Sequence, residues 1–461
     1  MNPIRSATLF QQKSIQSQAL TSDCYGIFNL LTSDALFEKV EALLPEHRER
    51  MFPPTETLSM FITQALSADR SCQNSVNQAA MKKLIGGLTP CSTHTGGYCR
   101  ARQRLPLDMV VKLTQYLSTI IDNKVTDDWR WKGRKVKIAD GTTITMPDTA
   151  SNQAKYPQQK GQKAGLGFPI CRMVGITCLS SGALLNAAVG HFKGKGGDEQ
   201  TLLRSLQDSL VAGDLVLGDA YFPTYFFIAD MQSKGVDLLM EQNGARRKST
   251  DFRQGKKLGG RDHIITLVKP KKKPDWMSEE HYLATPDRIN IREFKAGGKI
   301  MVTTMMCPKS APKNELKLLY KSRWNVELDI RDIKNTMGMN VLSCKTPDMI
   351  LKEIWVYLLA YNLIRLMMIQ SALLANILPR TISFKHSVQL WLVWVQQTDG
   401  QDVGKRQALC LMIAQQRVAN RSGRIEPRAV KRRPKPYPLL TKPRLQARLE
   451  VIENGHPEKL K

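Results

Sequence analysis

The chain has 461 residues, too many for one ordinary hydrophobic core and enough for roughly three domains at about 150 residues each. With 42% hydrophobic and 24% charged residues it reads as globular rather than disordered. Lys and Arg number 68 against 41 Asp and Glu, and a formal net charge of +27 points to a polyanionic partner, nucleic acid before anionic membrane. The most apolar stretch, Ile354 to Leu378, is interrupted by Asn362, Arg365 and Gln370 and reads as a buried core helix, not a bilayer span. Met1 to Thr21 contains no continuous apolar block of signal-peptide type, so a cytoplasmic protein is expected. The nine cysteines form no CxxC pair, and the histidines are not placed to complete a zinc site. Reduced core thiols are the expectation.

In chain order, residues 1–128 read as a helical, DNA-binding N-terminal domain, with apolar residues at helical spacing around Phe28 to Leu44 and Leu58 to Leu66. It ends in Tyr98, Arg100, Arg102 and Arg104, which suit either phosphate contact or a solvated helix face. From about residue 130 the period changes to two. Val136, Ile138 and Asp140 alternate with Lys135, Lys137 and Ala139, so one strand face carries two aliphatic side chains and then an acid. Further strands are predicted over Phe168 to Leu179 and Ala183 to Phe192, joined by Ser180-Ser181-Gly182. Gly194 to Gly197 break the chain, and Asp198 is placed to cap a helix carrying Leu202, Leu203, Leu206 and Leu210. A short buried strand, Leu215 to Leu217, a helix over Pro223 to Gln232 and a strand over Val236 to Met240 follow. Three strands, then helix, strand, helix, strand is the order of an α/β, ribonuclease-H-like core. Its first part is assigned to 129–241 and its second to 311–400. Between them, residues 242–310 read as a basic, β-rich insertion containing Lys269 to Pro274 and the run Ile300 to Met305. Helix is predicted over Asn314 to Thr336 and Met349 to Leu378. Residues 401–461 form a basic C-terminal region, in which Arg417 to Arg448 reads as an extended arm.

Phosphodiester chemistry assisted by metal ions needs carboxylates converging on one point, to hold two Mg²⁺ about 3.5–4 Å apart. Asp140 is expected to close a buried strand, with the backbone leaving the sheet at Gly141-Thr142, and Asp219 to close another after Leu217-Gly218. If those strands are neighbours, the two acids lie side by side. A third acid comes from the segment 320–334. At about 100° per residue on a helix, Tyr320, Arg323, Glu327 and Lys334 fall within an arc of roughly 60°, while Asp329 and Asp332 turn well away. One helix face thus presents an acid flanked by two cations and a phenol. Alone, it is matched by an ordinary helix with one Arg–Glu pair, worth about 0.2–0.5 kcal/mol. The strand-end aspartates and the basic charge favour a site.

The four residues spell Y-x2-R-x3-E-x6-K. In this the chain resembles the bacterial insertion-sequence transposases of the family named after insertion sequence four, whose YREK signature this is. The resemblance extends to Asp140-Gly141-Thr142 and Gly218-Asp219 as the first and second acids, and covers roughly residues 130 to 370. Where some members place an arginine shortly after the second Asp, this chain has Ala220-Tyr221-Phe222. The resemblance implies a DDE triad of Asp140, Asp219 and Glu327 holding two Mg²⁺, for which Mn²⁺ substitutes, with Tyr320, Arg323 and Lys334 on DNA phosphates. It implies nicking at an element end, attack of the freed 3′-hydroxyl on the opposite strand to form a hairpin, reopening, and joining to target DNA. An aromatic residue of the insertion stacks on a flipped base in such enzymes. The implied partners are double-stranded DNA, both terminal inverted repeats and target, and a second subunit in a paired-end complex. The expected setting is the nucleoid of the bacterial cytoplasm. A nuclease of the same fold that cuts without joining has less use for the full YREK face, and an inactive transposase-derived repressor has no need of three intact acids.

Overall fold

Ahead of the first strand, the helices over residues 51–124 are α1 (Pro54–Leu66), α2 (Cys72–Ile85), α3 (Thr95–Arg104) and α4 (Leu107–Lys124). The computed structural model describes residues 51–418 except 160, 162, 164, 193, 195, 245–249 and 398–402, together with 38–39, 42–44 and 442–454. Met1 to Thr21, Cys24, most of the Phe28 to Leu44 pattern and most of the Arg417 to Arg448 arm lie outside the described residues. Along α4, Met109, Val110, Leu113, Leu117 and Ile121 recur at helical spacing and bury one face in the largest core cluster. Helix α3 departs from both sequence readings at Tyr98 and Arg102 but not at Arg100 and Arg104. Tyr98 and Arg102 are buried: the Tyr98 hydroxyl donates to Gln64 Oε1 at 2.9 Å, and the Arg102 guanidinium lies over the Phe61 and Tyr98 rings, donating to Cys72 Sγ. Arg100 and Arg104 on the same helix stay exposed.

Next in the chain come β1 (Val136–Thr145), α5 (Ala150–Lys155), β2 (Ile170–Cys178), β3 (Leu184–His191), α6 (Glu199–Arg204), β4 (Leu215–Gly218), α7 (Tyr225–Ser233) and β5 (Asp237–Glu241). Strands β1, β2 and β3 pair antiparallel, and β4 and β5 add in parallel on the other side of β1. Parallel neighbours need crossovers, and α6 and α7 supply them. The fold is thus α/β with the ribonuclease-H-like order. Two expectations are corrected. Strand β1 does not leave the sheet at Gly141 but runs on to Thr145, because β2 pairs with it along its whole length. Helix α6 is shorter than its leucine pattern suggests and tightens into a 3₁₀ turn at Gln207–Ser209, which still sends Leu202, Leu203, Leu206 and Leu210 into one cluster.

Residues 242–310 contribute β6 (Lys256–Gly259), β7 (Asp262–Val268), α8 (Glu279–Ala284), β8 (Arg288–Ala296) and β9 (Lys299–Thr303). These strands extend the central sheet: β9 pairs antiparallel with β5, giving the order β3-β2-β1-β4-β5-β9-β8-β7-β6. The expected Asn314 to Thr336 helix is a composite of α9 (Lys313–Lys321), a 3₁₀ turn at Ser322–Trp324, α10 (Asn325–Arg331) and a π turn at Asp332–Thr336. The wide last turn buries Ile333 while Lys334 reaches β1. Helix α11 (Pro347–Leu374) is long and apolar enough to cross a membrane, but 89% of that window is buried within the protein. Its polar residues are satisfied there. Asn362 accepts from the Leu184 amide at 2.9 Å and donates to the Leu184 carbonyl at 2.8 Å. Helices α12 (Phe384–Gln397), α13 (Val403–Gln415) and α14 (Arg444–Asn454) complete the described chain.

Candidate active site

Strand β1 alternates strictly, so Val136, Ile138 and Asp140 share a face, as do Leu215, Leu217 and the position of Asp219 on β4. The aliphatic members of both rows belong to one core cluster, which α9 and α10 close through Leu316, Leu319 and Val326. The parallel register pairs Ile138 with Leu217, and two residues further on each strand stand Asp140 and Asp219. Both acids thus continue buried rows beneath α10, Asp140 within β1 and Asp219 just past the end of β4. Asp219 is fixed by its own turn, accepting from the Tyr221 amide at 2.8 Å.

The YREK side chains arrive from above. Arg323 bridges two of the acids, with Nη1 3.4 Å from Asp140 Oδ2 and Nη2 3.4 Å from Glu327 Oε1. Tyr320 donates its hydroxyl to the Gly218 carbonyl at 3.2 Å, beside Asp219. Lys334 donates to Thr142 Oγ1 at 3.1 Å and to the Thr143 carbonyl at 2.7 Å. Tyr320, Arg323 and Lys334 are therefore strung from the end of β4 along β1, with Glu327 joined to them through Arg323. Asp329 and Asp332 face the other way, toward Arg365, with Arg380 also on Asp329.

Burial pushes the Asp140 carboxyl up to about 6, against the Gly141 amide and Arg323, which pull it down, while nearby Asp219 and Glu199 add to the rise. Burial likewise pushes the Tyr320 phenol up to about 12. The donors are all carboxylate oxygens, the hard ligands that suit Mg²⁺ or Mn²⁺. A guanidinium stands between Asp140 and Glu327, where the acids call for positive charge. Among the described residues no three Asp, Glu, His or Cys side chains close around one point, and Arg323 stands between Asp140 and Glu327. The donor set fits a divalent cation.

One acid escaped sequence reasoning. Glu199 opens α6, and a Cβ built on Gly141 would lie 2.6 Å from its carboxyl carbon. The available signal was a glycine directly after Asp140, read from sequence as a strand exit. Its significance depends on which face of β1 meets α6.

Residues 131–363, just over half of the chain, match the family model described as the transposase DDE domain. The chain is 28% identical over 353 residues to the transposase InsG for insertion sequence element IS4 of Escherichia coli (strain K12), covering 74% of this chain and 78% of that protein. Among solved structures it is similar to a piggyBac transposase synaptic complex with hairpin DNA, at a TM-score of 0.42 and 8% identity over 86% of each chain. The matched span runs from just before β1 into α11 and so contains Asp140, Asp219 and the whole YREK segment: the chain belongs to the DDE transposase family, and is a DNA transposase.

Proposed function

We propose that the enzyme cuts and joins DNA at the ends of an insertion sequence, with Asp140, Asp219 and Glu327 as catalytic carboxylates and Tyr320, Arg323 and Lys334 on DNA phosphates. One observation carries this reading: Arg323 ties Glu327 to Asp140 across nearly the whole catalytic core, at the point where β1 and β4 bring Asp140 beside Asp219. The three acids would hold two Mg²⁺, or Mn²⁺, which when bound supply activation of the attacking hydroxyl and stabilisation of the leaving oxygen. Tyr320, its phenol held neutral by burial, keeps its proton to donate to a phosphate oxygen. Arg323 has a planar fork suited to phosphate and would leave the carboxylates for it when DNA enters. Lys334, held on Thr142 and Thr143, offers a second point of charge further along β1.

Around this centre the helical region 1–128, where Arg100 and Arg104 stand exposed, and the basic region 401–461 would bind flanking DNA. The core parts 129–241 and 311–400 carry the chemistry, and 242–310 is the insertion. Two subunits would pair two terminal repeats before joining them to target, in the bacterial nucleoid. The test is gel analysis of nick, hairpin and joined product on a terminal-repeat substrate. Glu327→Gln should bind DNA and make none of the three, and excess chelator should stop the wild type at binding. A folded Glu327→Gln that still nicks, or robust cutting in chelator, would overturn the assignment.

A further inference from the structure

We infer that Glu199 is a fourth carboxylate of the catalytic centre, reaching the middle of β1 and the end of β4 from the face of the sheet opposite α10. The inference rests on the reading of Asp140 and Asp219 as metal-holding acids. Alternation along β1 puts Ala139 and Gly141 on the other face from Asp140, and Ala139 packs with Leu202 and Leu203 of α6. What stands over Gly141 therefore belongs to α6, and it is the first residue of that helix. A Cβ at Gly141 would lie 2.6 Å from Glu199 Cδ and 2.7 Å from Oε1, so the carboxylate rests directly on the strand backbone. Any larger residue there would push the Glu199 side chain aside. Gly141 does not adopt a left-handed conformation, so clearance, not backbone freedom, is what it supplies.

The place is open where the acid arrives. Strand β4 ends at Gly218, and its register with β1 ends at Ile138↔Leu217, so no β4 residue pairs with the edge of β1 at Asp140 and Gly141. Glu199 is not consumed by its own helix, because Asp198 caps it, accepting from the Thr201 amide at 3.0 Å and the Thr201 hydroxyl at 2.7 Å. Its carboxylate is steadied from β2 by Arg172, whose Nε lies 3.4 Å from Oε1. Arg172 is itself held by the Gly197 carbonyl at 3.2 Å and lies against the Phe192 ring. The side chain is a quarter exposed; its charge acts on Asp140, and that of Asp219 acts on it. An acid that only balanced Arg172 would gain nothing from pressing against a glycine beside two other acids. With Asp140, Asp219 and Glu327 it makes four negative charges, matching two divalent ions. Glu199 would help to hold a divalent ion bound beside Asp219.

The test is Mn²⁺ binding to the full chain, followed by electron paramagnetic resonance, with melting of the metal-free protein measured alongside. Glu199→Gln should weaken Mn²⁺ binding at least about tenfold, the loss expected for a residue orienting or completing a metal site. Gly141→Ala, which displaces the carboxylate without removing it, should cause a loss in the same direction. The double variant should bind no more weakly than the weaker-binding single variant. Asp219→Asn is the control. If Asp219→Asn loses Mn²⁺ while a folded Glu199→Gln and Gly141→Ala both bind as wild type, Glu199 is only the partner of Arg172 and this inference falls alone. If Asp219→Asn also binds as wild type, the metal-holding role of the acids falls with it.

Discussion

Asp140 is neutral more easily than an ordinary aspartate, since burial carries its carboxyl from 3.8 to about 6. An acid raised by folding reverses the usual sign. Below the unfolded value both states are protonated. Between the two values the unfolded chain has ionised and the folded chain has not, so stability falls as pH rises, and above about 6 the decline is complete. At about 1.4 kcal/mol per pH unit the penalty is ~2–3 kcal/mol. Asp140→Asn should therefore raise the melting temperature of the metal-free protein at neutral pH and do little near pH 4. Thermal melts at the two pH values check this, and an equal gain at both would mean the effect is not ionisation. Removing the cation between two acids has a second consequence. Arg323→Ala should let the DNA-free protein bind Mn²⁺ more tightly, while chiefly impairing the steps after the first nick on a DNA substrate. Unchanged Mn²⁺ affinity would mean Arg323 does not occupy the ion's place. At this scale the sequence was legible where a charge broke a local pattern, as Asp140 does after Val136 and Ile138. Arg102 and Glu199 were illegible, because their partners lie on other helices and strands: Arg102 meets Phe61 and Cys72, and Glu199 meets Gly141 and Arg172.

The composite helix from Lys313 to Thr336 separates two kinds of acid. Glu327 lies on the β1 side with its side chain 38% exposed, whereas Asp329, two residues on, is fully buried between Arg365 and Arg380. Arg380 also holds the turn before β3, donating to the Cys178 and Leu179 carbonyls, and Gly182, at φ 76°, leaves room for both guanidinium groups. Removing one partner of a buried ion pair leaves uncompensated charge, at about 3–5 kcal/mol. Asp329→Ala should accordingly lower the melting temperature sharply and still nick DNA below that temperature. Glu327→Gln should melt near the wild type and not nick. Denaturation paired with a nicking assay tests both, and the roles are reversed if Asp329→Ala is stable and inactive. The 3.6-residue period found the right face, yet it could not find the 3₁₀ and π turns. Those follow from how Val326 and Ile333 seat on different parts of the core. Strand positions were legible from alternation and turn residues. The end of β1 was not, because Gly141 and Thr142 look like an exit until β2 is paired beside them.

Across the whole molecule, charge and fold are distributed differently. Asp140 and Asp219 stand where two central strands of the sheet meet, while much of the positive charge lies toward the C-terminus. Residues 421–461 hold twelve Lys and Arg against four Asp and Glu, eight of the 27 net charges. Within them α14 docks near α5 through Arg444, which pairs with Asp148 and lies over the Phe168 ring. Neither contact involves Asp140, Asp219 or Glu327, so the chemistry is expected to survive removal of the region. Binding of a basic surface to DNA releases counterions, and each phosphate neutralised contributes about −0.9 to the slope of log K against log salt. A chain ending at residue 420 should bind DNA less tightly at low salt and show a shallower slope, by about 0.9 for each phosphate that the shortened chain leaves unneutralised. On ends already bound at high protein concentration it should nick and join as the full chain does. Fluorescence anisotropy across a salt titration gives the slope, and gel assays at saturation give the chemistry. An unchanged slope with a lowered melting temperature would assign the region to folding, with the DNA charge then falling to the helical region and the insertion.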